Sequence, residues 1–465
     1  MSLAFLGLSF ALAARSADFP PRPNIIFVLT DDQGYGELGC HGNPIIKTPN
    51  IDKFYQESLR FTDFHVSPTC SPTRASLMTG RHEFRSGVTH TIMERERLSL
   101  KATTLAQVLK SAGYTTGIFG KWHLGDEADY QPDQRGFDEV FIHGAGGIGQ
   151  TYPGSCGDAP GNTYFNPAIL HNRKFEKTQG FCTDVFFSQA LKWIDEKRSG
   201  PAPFFVYLTP NAPHAPYVCP EPYAKPYKDA GLNTNAAGYY GMISNIDENF
   251  GKLLARLKAW NLERNTLVIF MTDNGHSIAS LYNAGMRGAK GTPYQGGTRV
   301  PSFWRWPAAF QGGRDIGQLA AHIDIFPTFA ELAGAKIPPG VQLDGRSLCP
   351  LLKDSKANWP GRFLFTHVGR WAKGKAAESK FDKCSVRNSR FHLVNNKELY
   401  DLQADPGETK NVIADHPQVV AAMRAAYDRW WEEILPALGN ENAVGPAENP
   451  FKALYWQQFG GGPQK

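Results

Sequence analysis

Beyond its first residues this sequence has no apolar run long enough to span a membrane. It contains no C-x-x-C pair, so a zinc knuckle is unsupported. No basic run is interleaved with aromatics, and a net charge of +5 is small for 465 residues, which argues against nucleic acid as a partner. No internal repeat is visible. There is no disorder signature either: 42% apolar and 20% charged residues describe an ordinary globular protein. Cysteine is used sparingly, at seven positions. With Cys70 set aside, Cys40, Cys156, Cys182, Cys219, Cys349 and Cys384 are available to pair in an exported protein, but their spacing does not say which.

What is present begins with a leader. The apolar run Leu3 to Ala14, followed by small residues, reads as a secretory signal peptide over 1–17, cleaved after Ala13 or Ala17, although no Lys or Arg precedes it. The expected location is therefore exported, periplasmic or secreted. The length allows a sizeable core and two domains, and 46 glycines with 33 prolines imply many loops. Short apolar runs of buried-strand type, "NIIFVLT", "TTGIFG", "PFFVYLT" and "TLVIFMT", alternate with stretches of helical periodicity such as "VFFSQALKWIDEK". That alternation predicts an α/β domain with a central, mostly parallel mixed sheet between helices. After about Pro350 the texture changes to "FLFTHVGRW", "KCSVRNSRFHLV" and "KELYDL", read as short strands, and then a helix near "HPQVVAAMRAAYDRWWEEIL". The expected division is a catalytic domain over 23–350, a smaller antiparallel-sheet and helix subdomain over 351–439, and an irregular tail over 440–465.

Each predicted strand is followed by polar residues of catalytic type. Asp31 and Asp32 follow the first, Lys121 and His123 the second, His214 the third, and Asp273 and Asn274 the fourth. Open α/β sheets bind ligands outside the carboxyl ends of their strands. Taken alone, "DD" suits a solvated turn and "DNG" a tight turn. Their joint placement favours a hard-oxygen site for Ca²⁺ or Mg²⁺ over zinc, since adjacent carboxylates repel unless a cation lies between them. Arg74, Lys121, His123, His214 and Lys290 would then supply cations and a proton donor around an anionic group.

The stretch "SPTCSPTRASLMTGRH" adds a nucleophile. Pro72 suits a first helical turn, so Cys70 is expected at a helix N-terminus, where free N–H groups favour an anion. Arg74 lies one turn on. The plainer reading of the same residues is a buried structural cysteine beside a surface arginine.

"CSPTR" resembles the C-x-P-x-R signature of type I sulfatases, and "DDQGYG", "GKWHLG", "NAPHAPY", "TDNG", "GAKGTPYQGGTRVP" and "ELYDLQADPGETKN" resemble that family's other blocks in order. The likeness runs from about Pro23 to Val412. It implies an alkaline-phosphatase-like α/β fold with a smaller C-terminal antiparallel sheet, and a sulfuric ester hydrolase. It also implies that a formylglycine-generating enzyme oxidises Cys70 to formylglycine, whose hydrated aldehyde attacks sulfur with help from Asp273. His123 then helps release sulfate. By the same likeness Asp31, Asp32, Asp273, Asn274 and the modified Cys70 hold one Ca²⁺, Arg74 and Lys121 support the nucleophile, and His214 and Lys290 serve the sulfate and the leaving oxygen. The family's further polar contact in the loop 136–154 has no clear counterpart, with His143 as candidate or as packing residue. Glu37 stands where Asp is frequent. A phosphonate or phosphate diester hydrolase using the same modified residue, or a binding homologue without turnover, are the competing readings. Sulfated carbohydrate is the substrate class expected, with 10 Trp, 17 Tyr and 30 Phe compatible with sugar stacking.

Overall fold

The structure, a computed structural model, describes residues 19–20, 22–152 and 154–462. The leader expected over 1–17 lies outside the described residues. The predicted runs form strands because they are apolar on both faces: Phe204–Thr209 and Thr266–Thr272 are buried throughout, Asn24–Thr30 and Thr115–Lys121 at all but their first residue.

These strands, with Glu139–His143, make the parallel centre of a ten-stranded mixed sheet, in the order Thr266–Thr272, Asn24–Thr30, Phe204–Thr209, Thr115–Lys121, Glu139–His143. Antiparallel neighbours, Ser302–Arg305 on one side and Ala168–His171 on the other, extend it. Alternation along the first strand divides two cores. Ile25, Phe27 and Leu29 pack with Leu105, Leu109, Phe326 and Phe329 on one face. Ile26 and Val28 pack with Phe186, Ile194, Ile246 and Phe250, from the helices Cys182–Lys197 and Thr234–Ala259, on the other. Because the central strands are parallel, all their carboxyl ends emerge on one edge.

The C-terminal part is a four-stranded antiparallel sheet, Leu364–His367, Cys384–Arg387, Phe391–Val394 and Glu398–Asp401, covered by the helix Pro417–Ile434. The stretch "KCSVRNSRFHLV" supplies two of these strands: the Asn388 side chain accepts from the N–H groups of Arg390 and Phe391 and turns the chain back. This sheet shares its core with Phe84, close after the Cys70 helix, which joins the two parts.

The tail expected to be irregular beyond Gly439 contains a helix, Pro450–Phe459. Asn449 caps it, accepting from Phe451 and Lys452 N–H, and fully buried Phe451 anchors it edge-on to Phe175. Its start signal is only Asn-Pro, and its low amphipathicity hides it from periodicity. All seven cysteines are free thiols, so none of the six outside the Cys70 motif is paired.

Candidate active site

Cys70 is the first residue of the helix Cys70–Thr79, every residue of which is buried. Extended Thr69 precedes it without a side-chain cap, and Gly80, left-handed at φ 64, closes it with its N–H on Ser76 O. The N-terminus has no side-chain cap, and the buried hydroxyls of Thr69 and Ser71 are without partners, which favours an anion there. Cys70 opens into a cavity of about 310 Å³, lined also by His123, His214 and Lys290.

Beneath it the four strand ends converge. Asp31, Asp32 and Asp273 place carboxylate oxygens within 4.8 Å of one another. Asn274 Nδ2 donates to Asp32 Oδ1 at 2.9 Å, and Asp32 N donates to Asp273 Oδ1 at 3.1 Å, with Asp32 itself at φ 64. Three cations answer the carboxylates. Arg74, fully buried, donates to Asp273 Oδ2 from Nη2 at 2.8 Å and from Nε at 3.2 Å. Lys121 Nζ reaches Asp31 Oδ2 at 2.7 Å, and Lys290 Nζ reaches Asp32 at 2.6 Å. Burial, then the charge of Asp31, push the Asp273 carboxyl up to about 7 against the pull of Arg74. Burial also opposes the Asp32 charge, yet Lys290, His214 and Lys121 together hold that carboxyl well below its ordinary range.

Asp31 Oδ1 and Asn274 Oδ1 are buried with no hydrogen-bond partner. Two orphaned oxygens beside three clustered carboxylates fit a hard divalent cation, and the donor set holds only oxygen apart from Cys70.

The two histidines differ in which nitrogen is free. His123 Nε2 sits 2.8 Å from Thr91 O, which can only accept, so Nε2 carries a proton and buried Nδ1 is left bare. Burial, then Lys121, drive its pKa well below the ordinary histidine value. His214 Nδ1 donates to Ala215 O at 2.8 Å, leaving Nε2 as the free nitrogen, 3.7 Å from Asp32 Oδ2. Burial lowers its pKa to about 4, with Asp32 opposing and Lys290 reinforcing.

All ten residues singled out from the sequence thus belong to one site, with Arg74 and Lys121 under its floor and bonded to carboxylates. His143 does not line the cavity: fully buried at its strand end, it lies against Phe186 with ring centroids 6.2 Å apart. The polar wall residues from the loop 136–154 are Gln150 and Tyr152. Glu37 is buried 3.3 Å from His276, away from the carboxylate cluster. Sequence reasoning missed Asn211, whose Nδ2 donates to Asp31 Oδ2 at 2.7 Å. Its signal was available, since it stands in the block that supplies His214. His90, Thr91 and Arg370, which also line the cavity, carry no such signal.

Comparison with known proteins shows the family. The family model described as "Sulfatase" matches residues 23–335, and that described as "N-sulphoglucosamine sulphohydrolase, C-terminal" matches residues 289–430. The chain is similar to arylsulfatase J of Mus musculus, 33% identical over 404 residues that span 84% of this chain and 67% of that protein. It is similar to N-acetylgalactosamine-6-sulfatase of Mus musculus, 32% identical over 375 residues, 74% of this chain and 68% of the other. Among solved structures it resembles Ps i-CgsB in complex with k-i-k-neocarrahexaose, with TM-score 0.80 and 27% identity over 94% of this chain and 97% of that one.

Proposed function

The chain belongs to the sulfatase family of the alkaline-phosphatase-like superfamily and is a sulfuric ester hydrolase, and from that premise we propose that Cys70, oxidised to formylglycine, is its nucleophile and sulfated carbohydrate its substrate class. The observation that carries the proposal is the placement of Cys70 at an uncapped helix N-terminus, in one cavity with His123, His214 and Lys290 and above the carboxylate cluster.

The aldehyde supplies, when hydrated, a hydroxyl for attack on sulfur and a second hydroxyl through which sulfate is released. Asp31, Asp32, Asp273 and Asn274 would hold Ca²⁺ beside residue 70, where it would supply positive charge to the bound anion. Arg74 and Lys121 hydrogen-bond Asp273 and Asp31 from below and hold them aligned. Asp273 is the carboxylate placed to accept the proton of the attacking hydroxyl. Lys290 stays charged, because its burial is outweighed by Asp32 together with the other negative groups around it, and neutralises the sulfate. His214 Nε2 is where a proton is held for the leaving oxygen; the arriving anion offsets the lowered pKa of the ring. Bare Nδ1 of His123 takes a proton in the release of sulfate.

A carbohydrate substrate is supported by relatives named N-acetylgalactosamine-6-sulfatase and by a neighbour solved in complex with k-i-k-neocarrahexaose. Export, and maturation by a formylglycine-generating enzyme, complete the reading. Offering sulfate, phosphate and phosphonate esters of one phenol tests the reaction class: sulfate should be preferred, and a preference for phosphonate would overturn it. A panel of defined sulfated monosaccharides then tests the substrate class.

A further inference from the structure

Among the described residues no carboxylate lines the Cys70 cavity, and two of its wall residues are permanent cations. Lys290 is committed to Asp32. Arg370 is not committed: it is exposed, donates from Nη2 to the Thr91 hydroxyl at 3.0 Å, and has no acidic partner at ion-pair distance among the described residues. An arginine facing an anion-binding cleft, with only a neutral hydroxyl on one nitrogen of its fork, is suited to recognition of a carboxylate or sulfate.

The backbone holds this side chain in place. Gly369 and Arg370 are both left-handed, at φ 68 and φ 59. A Cβ on Gly369 would lie 1.9 Å from Thr89 O, so only glycine allows this approach to the loop before His90. Arg370 N donates to Thr89 O at 3.3 Å. The next residue is clamped as well: Trp371 O accepts from Arg95 Nη1 at 2.8 Å, and the Arg95 guanidinium lies 4.9 Å over the Trp371 ring. A non-glycine residue in left-handed backbone costs on the order of 1 kcal/mol. Here that strain sets a guanidinium at the cavity rim.

His90 stands beside it. Its Nδ1 accepts from the N–H groups of Thr91 at 2.8 Å and Ile92 at 3.2 Å, which leaves Nε2 protonated and a donor. Burial, then Arg370, keep this ring neutral, with a pKa lowered to about 3.

We propose that Arg370 and His90 form a second anion subsite on the rim of the catalytic cavity, so that the preferred substrate carries a carboxylate or another sulfate near the ester that is cleaved. The subsite rests on the reading that the scissile sulfate sits at residue 70. It makes the C-terminal segment a reader of the substrate, and it explains why the rim offers a cation that no protein acid neutralises.

The test uses a hexosamine with one sulfate ester, the same sugar with a second sulfate, and the singly sulfated sugar linked to a uronic acid. The wild-type enzyme should prefer one of the doubly anionic probes, and which one identifies the second group. Arg370→Gln should lower kcat/KM for that probe relative to the monosulfate by about ten- to a hundred-fold, chiefly through KM, as loss of one charge-assisted pair requires. Arg370→Lys should recover part of the ratio. A bracing role, through Thr91 whose carbonyl holds His123, would lower all three probes together and leave the ratio unchanged. An unchanged ratio, or a wild-type enzyme that favours the monosulfate, overturns the subsite. Calorimetric binding of the uncut probes to the Cys70→Ala protein reads the same ratio without turnover. The subsite is thereby decided even if no probe is hydrolysed, an outcome that would instead count against the proposed reaction.

Discussion

Arg74→Met probes the balance of buried charge on which the site depends. The guanidinium is fully buried, gives two bonds of 2.8 and 3.2 Å to Asp273 Oδ2, and a third of 3.0 Å to Lys121 O. Methionine preserves much of the stem's packing but removes the charge, leaving Asp273 and Asp31 to share Lys121. Breaking a buried pair from one side costs about 3–5 kcal/mol. With a guanidinium m-value of roughly 6 kcal/mol/M for a chain of this length, the unfolding midpoint should fall by about 0.5–0.8 M in chelator. Saturating calcium should narrow that gap, because a divalent cation among the same carboxylates replaces part of the lost charge. Arg362→Met serves as control: Arg362 Nη1 donates to buried Asp324 Oδ1 at 2.8 Å, with none of the clustered carboxylates as partner, and its cost should be the same with and without calcium. Fluorescence-monitored unfolding of both variants reads the result. A loss at Arg74 that calcium does not reduce would refute a cation site at Asp31, Asp32 and Asp273.

Three further outcomes are expected. His214→Ala should damage sugar sulfates about 10²–10⁴-fold more than nitrophenyl sulfate, whose phenolate leaves without an acid; His123→Ala should slow all substrates alike and give a burst of phenol, and identical leaving-group dependence in both variants would void this division. Chelation should inactivate the enzyme, calcium should restore it better than zinc, and Asp31→Ala should resist restoration; full activity of that variant in chelator would misplace the metal site. Burial raises Asp126, which accepts from Gly157 N–H and the tail residue Asn449, to about 7 from 3.8. The folded state therefore holds a proton the unfolded chain has lost, so stability falls as pH rises from about 4 to 7 and levels above. The urea midpoint of Asp126→Asn should fall less over that window than that of the wild type, and parallel curves would reject the shift.

The central strands were legible because they are apolar on both faces, a pattern that survives without knowledge of their neighbours. The strand-end rule then placed Asp31, Lys121, His214 and Asp273 on one edge before any contact was known. Asn211 was equally reachable by that rule but does not look catalytic, and so passed unnoticed. Arg370 and His90 were not reachable. They meet at the cavity only because the C-terminal sheet packs on Phe84, a contact between segments far apart in sequence. The tail helix failed for another reason: one buried side chain, Phe451, and a cap at Asn449 fix it, and neither creates a periodic signal.

The central claim, that residue 70 works as an aldehyde, is tested most directly by mass spectrometry of the peptide spanning Cys70 alongside turnover of the same preparations. Co-expression with a formylglycine-generating enzyme should vary the modified fraction. Sulfate ester hydrolysis should rise in proportion to aldehyde and vanish in preparations that hold only the thiol. Turnover undiminished with an intact Cys70 thiol would contradict the account.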